Sequence, residues 1–378
     1  MQDMHSEFPE TGVSYLNNAS VSRMPRSALR AMAEFAEAYD RAGPDSRAAA
    51  TMVEDAARGV RHMVSAMLRC QPDEISITQS TTDGINMVAG GLSAAPGSNI
   101  VMREAAYEHH ANVLPWLGMG LENRMMPVDP DGLFRMGDLE AAVDSGTALV
   151  TLSHALYNTG AILPLEEVGR TLGGAVPFFV DAAQTVGCIE YDYSSMRCDY
   201  MAFNGSKWLC GPMGTGLFYC RRRAAPGLRP VLLGGESAMV YERDRIAFKD
   251  GPGRFEGGFR NYAGVAGLEA ALGVVSGVGQ YMIRRRNMEC AAALREGLAD
   301  IPGVVVYGNG GDNHTSVVPF NLEGVDPAGV VERLEGKGVV VALREIGPLK
   351  IVRASPHFYN TTQDVERAVR AVADIRNA

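Results

Sequence analysis

The sequence predicts an α/β protein with a large domain, built on a mainly parallel seven-stranded sheet, and a smaller α+β domain toward the C-terminal end. Apolar stretches of strand length alternate with helix-like stretches over most of the chain, as in a parallel sheet covered by helices on both faces. From residue 304 onward, short strands follow one another with helices between and after them. Of the 378 residues, 46% are hydrophobic and 21% charged, so the chain can bury a sizeable core without disulfides or metals.

Each element follows from the spacing of apolar residues and from the residues that begin helices. Proline at position 25 fits the first turn of a helix, where its missing N–H group would have had no partner. One predicted helix begins at Pro25, and the last begins near Thr361. Between them, four more are predicted at residues 48–68, 136–143, 165–172 and 261–298. The large sheet's strands are predicted at residues 75–78, 100–102, 124–128, 149–152, 178–180, 200–203 and 216–219. The small domain's strands are predicted at residues 304–307, 317–321, 339–343 and 350–354.

Charge and composition exclude several classes of protein. The 35 basic and 44 acidic residues give a net charge of −9, which argues against a general binder of nucleic acid or of anionic membranes. No run of 18 apolar residues suggests a membrane-spanning helix, and the polar, acidic N-terminal segment does not resemble a secretory signal. The six cysteines form no C-x-x-C pair and no common zinc spacing, so we expect a cytoplasmic protein with reduced thiols and no metal site.

The most informative segments are FFVDAAQTVG and DYMAFNGSKWLCGPMGTG. The first contains an apolar strand that ends in Asp181, and the second a strand followed closely by Lys207. Ligands of open α/β sheets bind at the carboxyl ends of the strands, so the acid and the amine are expected at one site. A lone lysine after a strand is usually a surface amine, but a desolvated one can form a Schiff base. Pyridoxal 5'-phosphate (PLP) requires a lysine that forms an imine with it and an acid that pairs with its protonated pyridine nitrogen.

With these segments the chain resembles the class V aminotransferase group of fold-type I PLP-dependent enzymes, most closely its cysteine desulfurase and selenocysteine lyase branch. The resemblance runs from YLNNA at residues 15–19 to the C-terminal helix. It implies that Lys207 forms the Schiff base and that Asp181 pairs with the pyridinium nitrogen. Gln184, helped by Asn158, is then expected to hydrogen-bond the phenolic oxygen of PLP. We expect the large PLP-binding domain at residues 20–262 and the small domain at 1–19 and 263–378.

The segment EHHAN at residues 108–112 also matches this family. The resemblance implies that His109 stacks on the PLP ring, where a flat, polarizable side chain covers one face of the cofactor and can shuttle protons. We assign His110 a structural hydrogen-bonding role.

The run QSTTDGIN at residues 79–86 lies between a strand and a helix. Free amides at a helix N-terminus, together with hydroxyl groups, make an anion site, although such a run is by itself an ordinary capping sequence. The resemblance implies that Thr81 and Thr82 hold the phosphate of PLP. Ser206, where this branch usually has histidine, is expected to add a further hydroxyl contact.

Other residues are expected to bind the substrate or to complete the site from a second subunit. Arg353 matches the family arginine that grips the substrate α-carboxylate with two hydrogen bonds, and its alternative role is a surface salt bridge. The stretch RFEGGFRNYAG matches the part contributed by the partner subunit, so a homodimer with the active site at its interface is implied. Family members often have Gly-Thr there, and Arg260 or Asn261 is expected to replace that phosphate contact. Arg260 is alternatively a group that recognises an acidic substrate, and Asn17 is a further substrate-binding candidate.

The family resemblance breaks down at the nucleophile of a desulfurase. Such an enzyme needs a thiolate on a loop before the carboxylate-binding arginine, and no cysteine follows Cys290. We therefore predict a lyase that eliminates the sulfur of an L-cysteine S-conjugate, giving a thiol, pyruvate and ammonia, with Lys207 as base and Tyr157 as leaving-group acid. The alternatives are a PLP-dependent aminotransferase, decarboxylating deaminase or epimerase, and a PLP-binding protein without turnover.

Overall fold

The computed structural model describes residues 4–242, 245–258, 260–308 and 310–377. Its strands are β1 (Ser14–Tyr15), β2 (Ile75–Thr78), β3 (Asn99–Arg103), β4 (Glu122–Met126), β5 (Thr147–Ser153), β6 (Phe178–Asp181), β7 (Tyr200–Asn204), β8 (Gly216–Cys220), β9 (Ala238–Glu242), β10 (Arg245–Phe248), β11 (Val304–Val306), β12 (Val318–Leu322), β13 (Val339–Val340), β14 (Ala342–Ile346) and β15 (Leu349–Ala354). Its helices are α1 (Met4–Glu7), α2 (Arg26–Ala42), α3 (Arg47–Leu68), α4 (Thr81–Gly91), α5 (Leu114–Leu117), α6 (Met136–Ala142), α7 (Leu165–Leu172), α8 (Tyr262–Val278), α9 (Gln280–Ala299), α10 (Pro327–Gly336) and α11 (Thr362–Asn377).

The large sheet has seven strands in the order β2-β8-β7-β6-β5-β3-β4, and only β8 runs antiparallel to its neighbours. The predicted α/β fold with a mainly parallel seven-stranded sheet is therefore confirmed. Ser153, at the end of β5, pairs with Asp181, which in turn pairs with Ala202 of β7. The carboxyl ends of three adjacent strands thus meet at one edge of the sheet.

Helices bury both faces of this sheet. In β6, Phe178 and Val180 point into one apolar cluster and Phe179 points into another on the opposite face. This alternation is the two-residue period of a strand that is buried on both sides. The ring of Phe179 meets the buried indole of Trp116 edge-on, with 5.6 Å between ring centroids.

The small domain is built on an antiparallel sheet in the order β11-β12-β15-β14, with a core shared by α9, α10 and α11. The N-terminal strand β1 pairs with β13, and Asn17 forms a bridge with Ser355 just beyond β15. Helix α8 contributes Leu268 and Leu272 to the core of the large domain. The division at residues 20 and 262 stays a prediction.

Three elements differ from the sequence prediction. The helix expected over 261–298 is two helices, because Gly279 has a φ of +83° and an 80° bend separates α8 from α9. The strand expected over 339–343 is divided between β13 and β14, and the β9–β10 hairpin was not expected. Among the described residues no single helix is long and apolar enough to span a membrane, and α8 and α9 meet that length and composition only as this bent pair.

Candidate active site

Lys207 and Asp181 occupy neighbouring strand ends, as the sequence indicated. Asp181 is the last residue of β6, and Lys207 lies three residues after β7. The turn between β7 and Lys207 requires glycine, because a Cβ atom on Gly205 would collide with the hydroxyl of Thr215. The Lys207 carbonyl accepts a hydrogen bond from Cys210 N at 2.9 Å, which closes the loop behind the lysine.

Burial shifts the pKa values of both groups toward neutral pH. It lowers the pKa of Lys207 to about 8, against the attraction of Asp181, and the positive charges of Arg353 and Arg344 act in the same direction as burial. Burial also raises the pKa of Asp181 to about 6, against Lys207 and a 2.9 Å hydrogen bond from Ala183 N. The amine is therefore easier to deprotonate than an ordinary lysine, which favours its action as nucleophile and base.

His109 begins the short helical turn 110–112, and its Nδ1 accepts a hydrogen bond from Ala111 N at 3.2 Å. Burial, followed by the charge of Lys207, lowers its pKa to about 4, so the ring is neutral near pH 7. It meets the ring of Tyr157 edge-on, with 5.0 Å between centroids. His110 is exposed. His109 and Tyr157 thus lie together, close enough to Lys207 for its charge to act on the imidazole.

A buried ion pair fixes the backbone of His109, and the sequence analysis did not identify it. The Glu108 carboxylate accepts hydrogen bonds from Arg103 Nη1 at 3.1 Å, from Ser153 Oγ at 2.7 Å and from His109 N at 2.8 Å. The Arg103 and Glu108 side chains are 0% and 3% exposed. The sequence signal is a charged residue that ends the apolar strand β3, and such a residue needs a buried partner.

The N-terminus of α4 is held beside the Lys207 loop by Asn204. Asn204 Oδ1 accepts hydrogen bonds from Thr81 N at 2.6 Å and from Thr81 Oγ1 at 2.9 Å. Thr82 is exposed, and Ser206 is buried in the loop. Asn204 therefore joins Thr81, one of the expected phosphate-binding residues, to the strand end that precedes Lys207. Sequence analysis missed Asn204, although it is the polar residue at the end of β7.

Gln184 and Asn158 have protein partners on both sides of their amide groups. Gln184 Oε1 accepts from Trp208 Nε1 and Gln184 Nε2 donates to the Ala19 carbonyl, both at 2.9 Å. Asn158 Nδ2 donates to the Glu345 carbonyl at 2.7 Å, and Asn158 Oδ1 accepts from Thr159 N at 2.9 Å. These bonds fix the two side chains, and their contacts with the phenolic oxygen of PLP stay predictions.

Arg353 is buried, so it is not part of a surface salt bridge. Its Nη1 donates to the Tyr157 carbonyl at 2.7 Å, and its Nη2 to Ser20 Oγ at 2.7 Å and to Asn17 Oδ1 at 3.2 Å. Arg344 donates to the same Ser20 hydroxyl at 2.7 Å. Burial, followed by the charge of Arg344, lowers the pKa of Arg353 to about 9.

Within the described ranges neither of these two guanidinium groups forms an ion pair with a carboxylate. Arg353 Nε is also buried without a hydrogen-bond partner. Two adjacent cations without an acidic partner form a site that fits an anion.

Arg260 and Asn261 have their contacts elsewhere. Arg260 forms an ion pair with Glu256, which also binds Arg61 at 2.7 Å. Asn261 caps α8 by accepting a hydrogen bond from Gly264 N at 3.0 Å. Among the described contacts none joins Arg260 or Asn261 to Lys207 or Asp181, so their predicted roles would have to be exercised toward a second subunit.

No thiol lies at the turn that precedes Arg353. Strands β14 and β15 are joined by a tight hairpin in which Ile346 pairs with Leu349. All six cysteines are unpaired, and burial raises the pKa of each thiol. These positions and protonation states do not suit a nucleophilic thiolate.

Comparisons with known proteins agree with this geometry. The pattern of the family described as aminotransferase class-V matches residues 14–368. A probable cysteine desulfurase of Methanothermobacter thermautotrophicus is 34% identical over 375 residues, which cover 93% of this chain and 92% of that protein. The apo structure of cysteine desulfurase from Thermococcus onnurineus NA1 matches with a TM-score of 0.90 and 28% identity, covering 100% of this chain and 98% of that one. The cystine C–S lyase C-DES, in complex with its reaction product cysteine persulfide, matches with a TM-score of 0.88 and 26% identity, covering 96% and 97%.

Proposed function

Because the chain belongs to the class V aminotransferase family, we propose that it is a C–S lyase that cleaves an L-cysteine S-conjugate into a thiol, pyruvate and ammonia. It is a PLP-dependent enzyme that acts on a small-molecule amino acid, and PLP is its cofactor. The observation that best supports C–S cleavage rather than desulfuration is the β14–β15 hairpin, which carries Arg344 and Arg353 and no cysteine.

The side chains of the site fit PLP by their chemistry. Lys207 is half-buried and its amine has a lowered pKa, and Asp181 is a buried acid at the adjacent strand end. His109 offers a neutral ring. Thr81 and Thr82 offer hydroxyls at the N-terminus of α4, which favours a phosphate group, and Ser206 offers one in the Lys207 loop. Gln184 and Asn158 would complete the set as the proposed partners of the phenolic oxygen of PLP.

When bound, PLP supplies a sink for the electron pair that remains when a bond at Cα of the amino acid breaks. We assign Arg353 to the substrate α-carboxylate and the Lys207 amine to the removal of the Cα proton. Tyr157 is protonated at neutral pH because burial raises its pKa, so its hydroxyl can give a proton to the departing sulfur. The Cβ–S bond breaks with its electron pair on sulfur, and water converts the remaining three-carbon product to pyruvate and ammonia.

Arg344 supports a narrower substrate class. Its Nη2 and that of Arg353 reach one hydroxyl group, so a second anion can bind within reach of the α-carboxylate. Arg344 therefore favours conjugates whose sulfur substituent carries an acidic group, with Asn17 and Ser20 orienting the two guanidinium groups.

We also propose a homodimer whose interface borders the active site. Leu114 and Val231 line a cavity of about 810 Å³ together with Thr82 and His110. The side chains of Leu114, Leu117, Val231, Leu232, Leu233, Met239 and Ile246 are large, apolar and exposed. Exposed apolar side chains are typical of an interaction surface where they cluster, as Leu114 and Val231 do at this cavity. Cytoplasmic location stays a prediction.

A substrate panel tests the proposal. The holoenzyme is given S-carboxymethyl-L-cysteine, S-methyl-L-cysteine, L-cystine and L-alanine, and thiol, pyruvate and ammonia are each measured. We expect pyruvate and ammonia in equal amounts from each conjugate, with an equal amount of thiol from the two thioethers and of persulfide from L-cystine, and none of these products from alanine. Amino-group transfer to an added α-keto acid would make the chain an aminotransferase. Release of CO₂ would indicate a decarboxylating deaminase, and inversion at Cα an epimerase.

Two variants test the assignment of the cofactor lysine. Lys207→Ala should lose the visible absorbance band of bound PLP, because that band requires the imine between the cofactor and the lysine amine. Lys207→Arg is the matched control, since it keeps a positive charge at the position but cannot form the imine. A wild-type band in either variant would contradict the assignment.

A further inference from the structure

The residue that follows Lys207 is held from the small domain by a histidine that has no assigned role. His357 lies between β15 and α11 and is 0% exposed. Its Nε2 lies 3.0 Å from the Trp208 carbonyl oxygen. A carbonyl oxygen only accepts hydrogen bonds, so the imidazole N–H donates to it. Among the described residues, no other group donates a hydrogen bond to the Trp208 carbonyl.

The ring of His357 has little freedom to leave this position. Its Nδ1 lies 3.1 Å from Asn287 Oδ1 in α9, and Asn287 Nδ2 donates to the Cys188 carbonyl at 2.9 Å, so both ring nitrogens face oxygen acceptors. The imidazole also meets the Trp208 indole edge-on, with 4.9 Å between centroids and 90° between planes. Burial lowers the pKa of His357 to about 3, against the hydrogen bond to the Trp208 carbonyl, which favours the protonated ring. A proton on both nitrogens would satisfy both oxygen acceptors.

The indole of Trp208 is fixed independently. Its Nε1 donates to Gln184 Oε1, and Gln184 in turn donates to the Ala19 carbonyl. The side chain of Trp208 is therefore held by the large domain, whereas its carbonyl is held by the small domain. Contacts with both domains therefore fix the position of Lys207, one residue earlier.

His357 also lies four residues after Arg353, in a segment that is itself anchored. His357 N donates to Asn360 Oδ1 at 2.8 Å, and Ser316 Oγ donates to the Pro356 carbonyl at 2.7 Å. One short segment thus carries both the guanidinium group proposed for the substrate carboxylate and the ring that binds the Lys207 loop.

We infer that His357 is a positioning residue, whose hydrogen bond to the Trp208 carbonyl sets the place of the Lys207 amine relative to Arg353. This inference rests on the proposed role of Lys207. Loss of the bond leaves a buried acceptor without a donor, and the loop moves to find another. Displacement of a reacting group by about 1 Å can cost roughly 100-fold in rate, so the effect should appear in kcat more than in KM.

The test compares three variants of the PLP-loaded enzyme. His357→Gln can place an amide N–H near the position of Nε2, His357→Asn can reach only toward Asn287, and His357→Leu has no donor. Phe358→Leu is the matched control, because Phe358 is equally buried beside His357 and has no hydrogen bond to Trp208 through its side chain. The measurements are kcat, KM, Tm and the pH midpoint of the visible PLP band.

We expect His357→Leu and His357→Asn to lower kcat by about tenfold or more and to move the midpoint of the band, and His357→Gln to retain most of both. Phe358→Leu should lower Tm while leaving the midpoint in place. If His357→Leu does not fold, the contrast between the Gln and Asn variants decides. Variants of His357 that change Tm alone would overturn the inference. A wild-type band in Lys207→Ala would instead overturn the proposed function, whatever the His357 variants do.

Discussion

Arg103 and Glu108 form an ion pair that is shielded from solvent directly beneath His109, with 3.1 Å between Arg103 Nη1 and Glu108 Oε2. The same carboxylate binds the backbone of His109 and the hydroxyl of Ser153, which ends the strand next to Asp181. The residue proposed to cover the cofactor is therefore supported by a charge pair that solvent does not reach.

Replacing Glu108 by Gln should destabilise the protein strongly. The change keeps the shape of the side chain but leaves the Arg103 cation buried without its counter-charge, which typically costs about 3–5 kcal/mol. Urea unfolding measures the loss. Glu122→Gln removes the acid of the exposed Arg124 pair and should cost less than about 1 kcal/mol. Equal losses in the two variants would contradict the structural role of the buried pair.

Asp181 should make the stability of the apoprotein depend on pH. Its pKa is raised from 3.8 to about 6, so the folded state binds the proton more tightly. The stabilisation is complete below about pH 4 and is lost as the pH rises through about 6. The Asp181→Asn variant has no carboxyl group to titrate, so its free energy of unfolding does not fall in this way. The difference between its free energy of unfolding and that of the wild type should therefore shift in its favour by about 2–3 kcal/mol between pH 4 and pH 7.

Chemical denaturation of the apoprotein at several pH values measures this difference. The control is Asp192→Asn, because hydrogen bonds from Ser194 hold the pKa of Asp192 below its usual value and the pH trend has the opposite sign. A stability difference for Asp181→Asn that stays constant across this pH range would show that Asp181 is not a buried acid.

Arg344→Gln should separate acidic from neutral substrates. Charge-assisted hydrogen bonds to the distal acid are lost, so kcat/KM for S-carboxymethyl-L-cysteine should fall about 10- to 100-fold. S-methyl-L-cysteine, which has no distal acid, should be affected far less. Arg353→Gln is the comparison, since it should weaken both substrates. If Arg344→Gln lowers both equally, the residue has no part in choosing the substituent.

Leu114→Glu should disrupt the proposed dimer. Leu114 is 62% exposed in the single chain, and a charge there would be buried without a partner on association. Sedimentation equilibrium should then show a monomer, with activity falling in parallel. Leu349→Glu, at a 40% exposed position on β15, should leave the oligomeric state unchanged. A wild-type chain that sediments as a monomer would refute the dimer itself.

The sequence was sufficient to place Asp181 and Lys207, because each follows an apolar strand and parallel strands end at the same edge of the sheet. It did not reveal Asn204 as the partner of Thr81, since 123 residues separate them and only the sheet order brings them together. The bend at Gly279 was also missed, although glycine is the residue that adopts a positive φ without strain. Hydrogen-bond partners distant in sequence and bends between helices depend on tertiary contacts, which the spacing of apolar residues does not reveal.

The pairing of β1 with β13 has a consequence for the choice of translation start. Translation that began at the internal Met24 would yield a polypeptide lacking Asn17, Ser20 and the whole of β1. Both guanidinium groups would then lose their shared acceptor, and β13 would lose its only paired neighbour among the described strands. Asn17 and Ser20 thus bind guanidinium groups that lie more than three hundred residues later in the sequence.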